Sequence, residues 1–263
     1  MSFIEAIVLG LIQGLTEFLP ISSSGHLLLV PRALGWDDPG ASFTAIIQLG
    51  TIAAVLAYFR GDLARIFAGA WAGIRDREQR DTTEYRIFWM VAIGTVPIGV
   101  FGLLFKDSIE TSARNIQLTA VMLIVFGLLM ELADRIPPQR IGLDRLTIPR
   151  GVTVGFAQAL ALVPGVSRSG STISMCRALG MKRQDAARFS FLLSIPAIVL
   201  SGGFSLRDVG KGVDLAPTLV ATVVAFLSGY LAIKFLIDYL GRHGLTVFTV
   251  YRVVLGVTIL VLL

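Results

Sequence analysis

The sequence predicts an all-α polytopic membrane protein, built as an inverted repeat of six transmembrane helices plus two re-entrant helix pairs that meet near the midplane. Three observations carry that reading. The 263 residues are 54% hydrophobic and 16% charged, with a mean hydropathy of +0.76, whereas soluble domains carry about 25% charged residues. Apolar runs of membrane-spanning length recur along the chain. Two further apolar stretches, similar to each other, are broken in the middle by polar residues.

Taken in order, a broken element at about 2–34 precedes apolar runs at about 41–60, 86–105 and 116–133. A second broken element at about 148–180 precedes runs at about 186–204, 215–237 and 246–263. Each run is near the ~20 residues that a bilayer core requires. The first element does not read as a cleavable signal peptide, because it has no basic start and Glu5, Gln13 and Glu17 interrupt its apolar core. Cys176 is the only cysteine, so no disulfide forms within the chain, and a small packing residue is its ordinary reading. A net charge of +5 would suggest nucleic acid in a soluble protein. Here the arginines lie in short loops between spans, so topology accounts for them and no nucleic-acid partner is expected.

Charge also tests whether the broken elements cross. If both are re-entrant, seventeen of the 23 Lys and Arg residues fall on one side. Five (Arg32, Lys106, Arg114, Arg207 and Lys211) fall on the other, and Arg168 lies inside the second element. If 148–180 crosses once instead, the split becomes about 12 to 10, which the positive-inside rule disfavours. A helix of 33 residues would also be roughly 50 Å long, too much for one span and too little for two. Both termini are then expected on the non-cytoplasmic side.

An offset of 145 aligns the two broken elements: "GLIQGLTEFLPISSSGH" (10–26) lies over "GFAQALALVPGVSRSGS" (155–171), matching Gln13 with Gln158, Ser22 with Ser167, Ser24 with Ser169 and Gly25 with Gly170. With one more residue of offset, "ASFTAIIQLGTIAAV" (41–55) lies over "ARFSFLLSIPAIVLS" (187–201). The chain therefore reads as a single membrane domain, 1–263, of two repeats at about 1–140 and 145–263. Three spans per repeat make the halves inverted with respect to each other, so the tips of the re-entrant elements can meet.

The residues at the breaks carry the chemistry. Pro20 lacks an N–H and restricts the residue before it, so it ends the first half-helix. Ser22, Ser23 and Ser24 are natural N-caps for the half-helix that resumes at His26–Val30. Pro164 and Gly165, with Ser167, Ser169 and Ser171, repeat the arrangement. Two half-helix N-termini would then face a shared cavity with free N–H groups and positive dipole ends, a site for an anion. Arg168 adds a permanent charge and a planar fork suited to phosphate. Gln13 and Glu17 are four apart and share a helix face. Irregular backbone is tolerated at membrane depth only where it lines a protein cavity, and an intramembrane Arg or Glu is a functional candidate. Each residue also has an ordinary reading: serines as caps, His26 as a core histidine, Arg168 as a structural partner of Glu17, Gln13 as a packing residue. Their coincidence at two repeat-related breaks argues against all of them being ordinary.

At these stretches the sequence resembles the undecaprenyl-diphosphate phosphatase family known as BacA or UppP. That family is marked by an (E/Q)xxxE element running into a Pro-x-Ser-Ser-(Ser/Thr)-Gly-His turn, here "QGLTEFLPISSSGH" with Gln13 and Glu17 at the paired positions. Its second mark, PGxSRSxxT, is matched by "PGVSRSGST" from Pro164 to Thr172. The motif spacing and the C-terminal pair Tyr251 and Arg252 extend the resemblance over essentially the whole chain. The resemblance implies six spans, two re-entrant pairs and removal of the terminal phosphate from a C55 lipid diphosphate in the bacterial cytoplasmic membrane. That reaction recycles the lipid carrier for peptidoglycan synthesis and is tied to bacitracin resistance. A divalent cation, Mg²⁺ or Ca²⁺, is implied as cofactor, while Gln13 weighs against any scheme that needs two carboxylates on one metal.

On that expectation Glu17, Ser23, His26 and Arg168 are the catalytic candidates. Ser23 is the expected nucleophile, with Ser22 and a metal-bound water behind it, and His26 accepts its proton if the turn is helical. Ser22, Ser24, Gly25, Ser167, Ser169, Gly170 and Thr172 are candidates for substrate binding, and Glu17 and Gln13 for holding the metal. The partners are the polyprenyl diphosphate and membrane lipids, with a homodimer open to the chain. A lipid-phosphate transporter is the rival, since inverted repeats with discontinuous helices are also the plan of carriers. An ion channel is disfavoured because no ring of polar residues marks a pore.

Overall fold

The computed structural model describes residues 1–112, 115–136, 138–205 and 214–262. Arg114, Arg207 and Lys211, used above to assign sides, lie outside the described residues. Among the described residues twelve α-helices form in chain order: α1 (Phe3–Phe18), α2 (Ser23–Leu34), α3 (Gly40–Tyr58), α4 (Arg60–Arg75), α5 (Thr83–Leu104), α6 (Lys106–Ser112), α7 (Ile116–Arg135), α8 (Ile148–Ala159), α9 (Arg168–Ala178), α10 (Arg183–Ser205), α11 (Leu215–Leu240) and α12 (Thr246–Leu262). Among the described residues no strand forms beyond one isolated bridge between Ile141 and Met181.

The six apolar runs fall on α3, α5, α7, α10, α11 and α12, and the broken stretches on the pairs α1/α2 and α8/α9. Among the described residues α5, α7 and α11 are each long and apolar enough to cross a bilayer. The side chains are sorted for lipid rather than water. On α11 Thr218, Ala221, Ala225, Ser228, Gly229 and Ala232 are buried, while Leu219, Val223, Leu227, Leu231 and Phe235 project outward at helical spacing. Small and weakly polar residues facing inward and large apolar residues facing out is the membrane pattern, and in water such a stripe would be an aggregation site.

One helix departs from expectation. The Arg-rich stretch read as a loop folds as α4, bent about 70° from α3. It carries its own amphipathic pattern: Ile66, Ala70 and Gly73 are buried, while Phe67, Trp71 and Ile74 are exposed. Asp62 in its first turn and Arg75 in its last suit the helix dipole, and Arg75 lies 4.5 Å over the Trp71 ring.

Glycines let the backbones that carry the breaks come close. α1 lies along α11, and α8 lies along α5. A Cβ at Gly10 would sit 2.3 Å from the Ala221 carbonyl oxygen, and one at Gly155, its counterpart in the repeat, 2.1 Å from the Gly94 carbonyl oxygen. Each broken element is thus seated against a helix of the other half. Gly155→Ala should force α8 away from α5 at a cost of about 1–3 kcal/mol, read as a lower melting temperature in detergent; an unchanged value would mean the two helices are free to separate.

Candidate active site

Both breaks end in the same local structure. α1 stops at Phe18 with Pro20 just beyond, and α8 stops at Ala159, followed by a 3₁₀ turn at Leu160–Leu162 and then Pro164. Ser22 (φ 76°) and Ser167 (φ 71°) are the non-glycine residues with positive φ among those described, a conformation that costs on the order of 1–3 kcal/mol and persists only where the surroundings impose it. Each serine caps the helix after it: Ser22 Oγ accepts from the Gly25 N–H at 3.5 Å, and Ser167 Oγ accepts from the Gly170 N–H at 3.2 Å. Each cap lies near the serine two residues on, Ser22 Oγ to Ser24 Oγ at 3.3 Å and Ser167 Oγ to Ser169 Oγ at 3.2 Å. The helices resume at Ser23 and Arg168, so the first N–H groups of α2 and α9 have no carbonyl within their own helix.

The breaks are also bonded to each other. Ser169 Oγ donates to the Leu19 carbonyl at 3.1 Å. Arg252, fully buried on α12, donates from Nη1 to Pro20 O at 3.2 Å and from Nη2 to Gly165 O and Val166 O at 2.9 and 3.0 Å. Its Nε reaches Leu123 O on α7 at 3.2 Å. One guanidinium therefore serves carbonyls from both turns.

In front of this frame lies a polar cavity of about 190 Å³, lined among others by Gln13, Glu17, Ser22, Ser23, Ser24, Ser167 and Arg168. Glu17 is its carboxylate. Glu17 Oε2 accepts from Ser23 Oγ at 2.7 Å and from Gln13 Nε2 at 3.3 Å. Arg168 Nη2 stands 3.8 Å from Glu17 Oε1, close enough for attraction but beyond a hydrogen bond. Its Nε and Nη1 are buried and have no partner among the described residues, which is costly unless something is to be bound there.

Not every expected residue reaches the cavity. His26 does not bond Ser23. Its Nδ1 faces the Ser22 carbonyl at 2.7 Å and its Nε2 faces the Tyr251 hydroxyl at 2.6 Å, so Nδ1 donates, because a carbonyl oxygen carries no proton. The three-residue spacing that suggested a Ser23–His26 pair is overridden by the rotation of α2, which turns the imidazole toward α12. Glu17 faces Ser23 instead. Ser169 lies on the far side of Glu17 and Arg168, in a small space of about 10 Å³. The Gly25 and Gly170 N–H groups are taken by the caps, and Thr172 is buried behind Arg168, donating to its carbonyl at 2.7 Å. Three polar cavity residues were missed: Thr16 of α1, beside Glu17, and Thr44 and Gln48 of α3. The signal of the α3 pair was present as two polar residues one turn apart in an apolar run.

A family model described as "Bacitracin resistance protein BacA" matches residues 6–258. The chain belongs to this family. Proteins named undecaprenyl-diphosphatase from Mycobacterium sp. (strain KMS) and from Mycolicibacterium smegmatis are each 52% identical over 269 residues, covering 100% of this chain and 97% of theirs. An undecaprenyl-diphosphatase 2 from Streptomyces coelicolor is 47% identical over 276 residues, covering 100% and 95%. In this BacA-family chain the motif residues Tyr251 and Arg252 lie inside α12 and act at the breaks, one on His26 and the other on the turn carbonyls.

Arg252→Met should leave the Pro20, Gly165 and Val166 carbonyls without their guanidinium donor. With about 1–3 kcal/mol for each orphaned group, the melting temperature in detergent should fall well below that of the wild type, and an equal value would show that the breaks hold together without it.

Proposed function

We propose that this BacA-family protein hydrolyses undecaprenyl diphosphate to undecaprenyl phosphate and inorganic phosphate, recycling the lipid carrier for cell-wall synthesis. The observation that carries the reading is Ser23 held 2.7 Å from the Glu17 carboxylate beside an arginine with two unpartnered buried nitrogens. That is a nucleophile, a base and an anion receptor in one cavity. The activity named for the relatives is the one this chemistry would perform, and the carrier reading finds no support among them.

The chain sits in the bacterial cytoplasmic membrane as six spans with both broken pairs re-entrant and inverted, their tips meeting at the cavity. The matching geometry at Ser22 and Ser167 and the paired seating of α1 on α11 and α8 on α5 support that arrangement. An apolar groove of about 650 Å³ between α5, α7 and α8, lined by Phe101, Phe105, Leu118, Phe156, Leu160 and Leu162, gives the isoprenoid tail a place. Ala161, between two of those residues, lines the polar cavity, so tail and head group lie on opposite faces of one turn.

In the reaction Ser23 Oγ attacks the terminal phosphorus and its proton passes to Glu17. The bond from phosphorus to the bridging oxygen breaks, and its electron pair leaves on the lipid monophosphate. That leaving group is stable as an anion because its second pKa is about 6, so no strong acid is needed. Water then attacks the phosphorus bound to Ser23, Glu17 returns to Oγ the proton it took as that oxygen leaves, and the Glu17 carboxylate so freed takes the water proton and passes it to solvent. Arg168 and the free N–H groups of α2 and α9 stabilise charge on the phosphoryl oxygens.

Among the described residues no cluster of three or more His, Cys, Asp or Glu side chains forms. The donor set at the cavity still suits Mg²⁺ or Ca²⁺, which takes one or two carboxylates and completes its shell with water and substrate phosphate. Glu17 Oε1 and the Gln13 amide oxygen would hold the ion, which would supply neutralisation of phosphate charge.

Phosphate release by the purified protein in detergent should need a divalent cation and stop with chelator. Arg168→Ala should lower turnover by roughly 10²-fold, and wild-type turnover in that variant would sink the phosphate clamp. Ser23→Ala should abolish release; if it does not, the attacking group is a water activated by Glu17.

A further inference from the structure

The cavity has two sides related by the internal repeat. α3 contributes Thr44 and Gln48, and 146 residues further on α10 contributes Ser190 and Ser194. Glu17 and Arg168 stand between the two pairs. With Thr44 and Gln48 they line the cavity of about 190 Å³, and with Ser169, Ser190 and Ser194 they line the space of about 10 Å³. The first has room for several waters or a solvated anion, while the second is at the limit of about 10–15 Å³ for a single water.

The hydroxyls on the α10 side are already engaged: Ser190 Oγ is 2.5 Å from Thr172 Oγ1, and Ser194 Oγ donates to the Phe191 carbonyl at 2.7 Å. The Gln48 side chain is half-buried and hydrogen-bonds no described residue. The Gln48 carboxamide offers two N–H donors to a phosphoryl oxygen and adds no charge beside Glu17.

We infer that the diphosphate head group is held on the α3 side of the Glu17–Arg168 pair, and that Gln48 is a further head-group-binding residue whose amide donates to a phosphoryl oxygen. This rests on reading the site as a phosphatase. The repeat supplies two equivalent flanks, and the long side chain at 48 against the short one at 194 makes one a receptor and the other a closed wall. Gln48 meets the head group before and during the reaction alike, so its contribution falls on KM rather than kcat.

The test uses the full chain in detergent with undecaprenyl diphosphate and a divalent cation, comparing Gln48→Leu, Gln48→Glu and Ser194→Ala with wild type. Gln48→Leu should raise KM about tenfold, as expected for one hydrogen bond to a charged group, with kcat within about twofold and inhibition by inorganic phosphate weakened in parallel. Gln48→Glu should raise KM further by repelling the phosphates. Ser194→Ala should change neither constant. Wild-type KM and phosphate inhibition in Gln48→Leu would overturn the assignment, and a raised KM in Ser194→Ala alone would put the head group on the α10 side. If the wild type releases no phosphate, it is the phosphatase reading that fails. Gln48 is then read from the thermal shift that inorganic phosphate produces: a shift lost in Gln48→Leu upholds the anion site, and an equal shift in both proteins overturns it.

Discussion

A guanidinium with no exposed surface holds the two helix breaks together. Arg252 has no carboxylate partner among the described residues, and its donors go instead to Pro20, Leu123, Met122, Gly165 and Val166 carbonyls. A buried charge of this kind is normally prohibitive. It is tolerated here because the breaks create the opposite problem, buried turn carbonyls with no partner inside a helix. Each defect satisfies the other. Room for the side chain comes from Gly127 and Gly170, where a Cβ would lie 3.2 Å from Arg252 Cβ and 2.9 Å from its Nη1.

That arrangement divides labour among the arginines. Arg177 is spent on a buried ion pair with Asp134 at 2.7 Å, reinforced by the Asp134 and Met181 carbonyls. Arg252 is spent on the turns. Arg168, at the start of α9, is the one whose Nε and Nη1 remain without partners, and it is the one that lines the cavity. Because the frame is satisfied elsewhere, the charge beside Glu17 stays available for an anion. The strained Ser22 follows from the same frame, with its carbonyl held by His26 and His26 held in turn by Tyr251.

Much of this was legible because it is local. Proline, glycine and serine in an apolar run mark a break wherever they occur, since they act on their own backbone. The breaks, the caps at Ser22 and Ser167, and the neighbouring Gln13 and Glu17 all belong to that class. α4 was overlooked because its arginines were counted as loop charges, although Ile66, Ala70 and Gly73 already alternated with Phe67, Trp71 and Ile74 at helical spacing.

By itself the sequence determined that the chain is apolar and helical, that it is broken twice in related ways, and which chemical groups stand at each break. Backbone propensity and hydrophobic period are written within a few residues, so they can be read without the fold. Only the tertiary structure decided that Ser23 faces Glu17 rather than His26, that Arg252 ties Pro20 to Gly165, and that Gln48 rather than Ser194 borders the larger space. Those choices depend on how each helix is rotated about its axis and on partners more than 200 residues away, as in the bond from His26 to Tyr251 across 225 positions. Rotation is set by packing against every neighbouring helix at once, and no single stretch of sequence contains it.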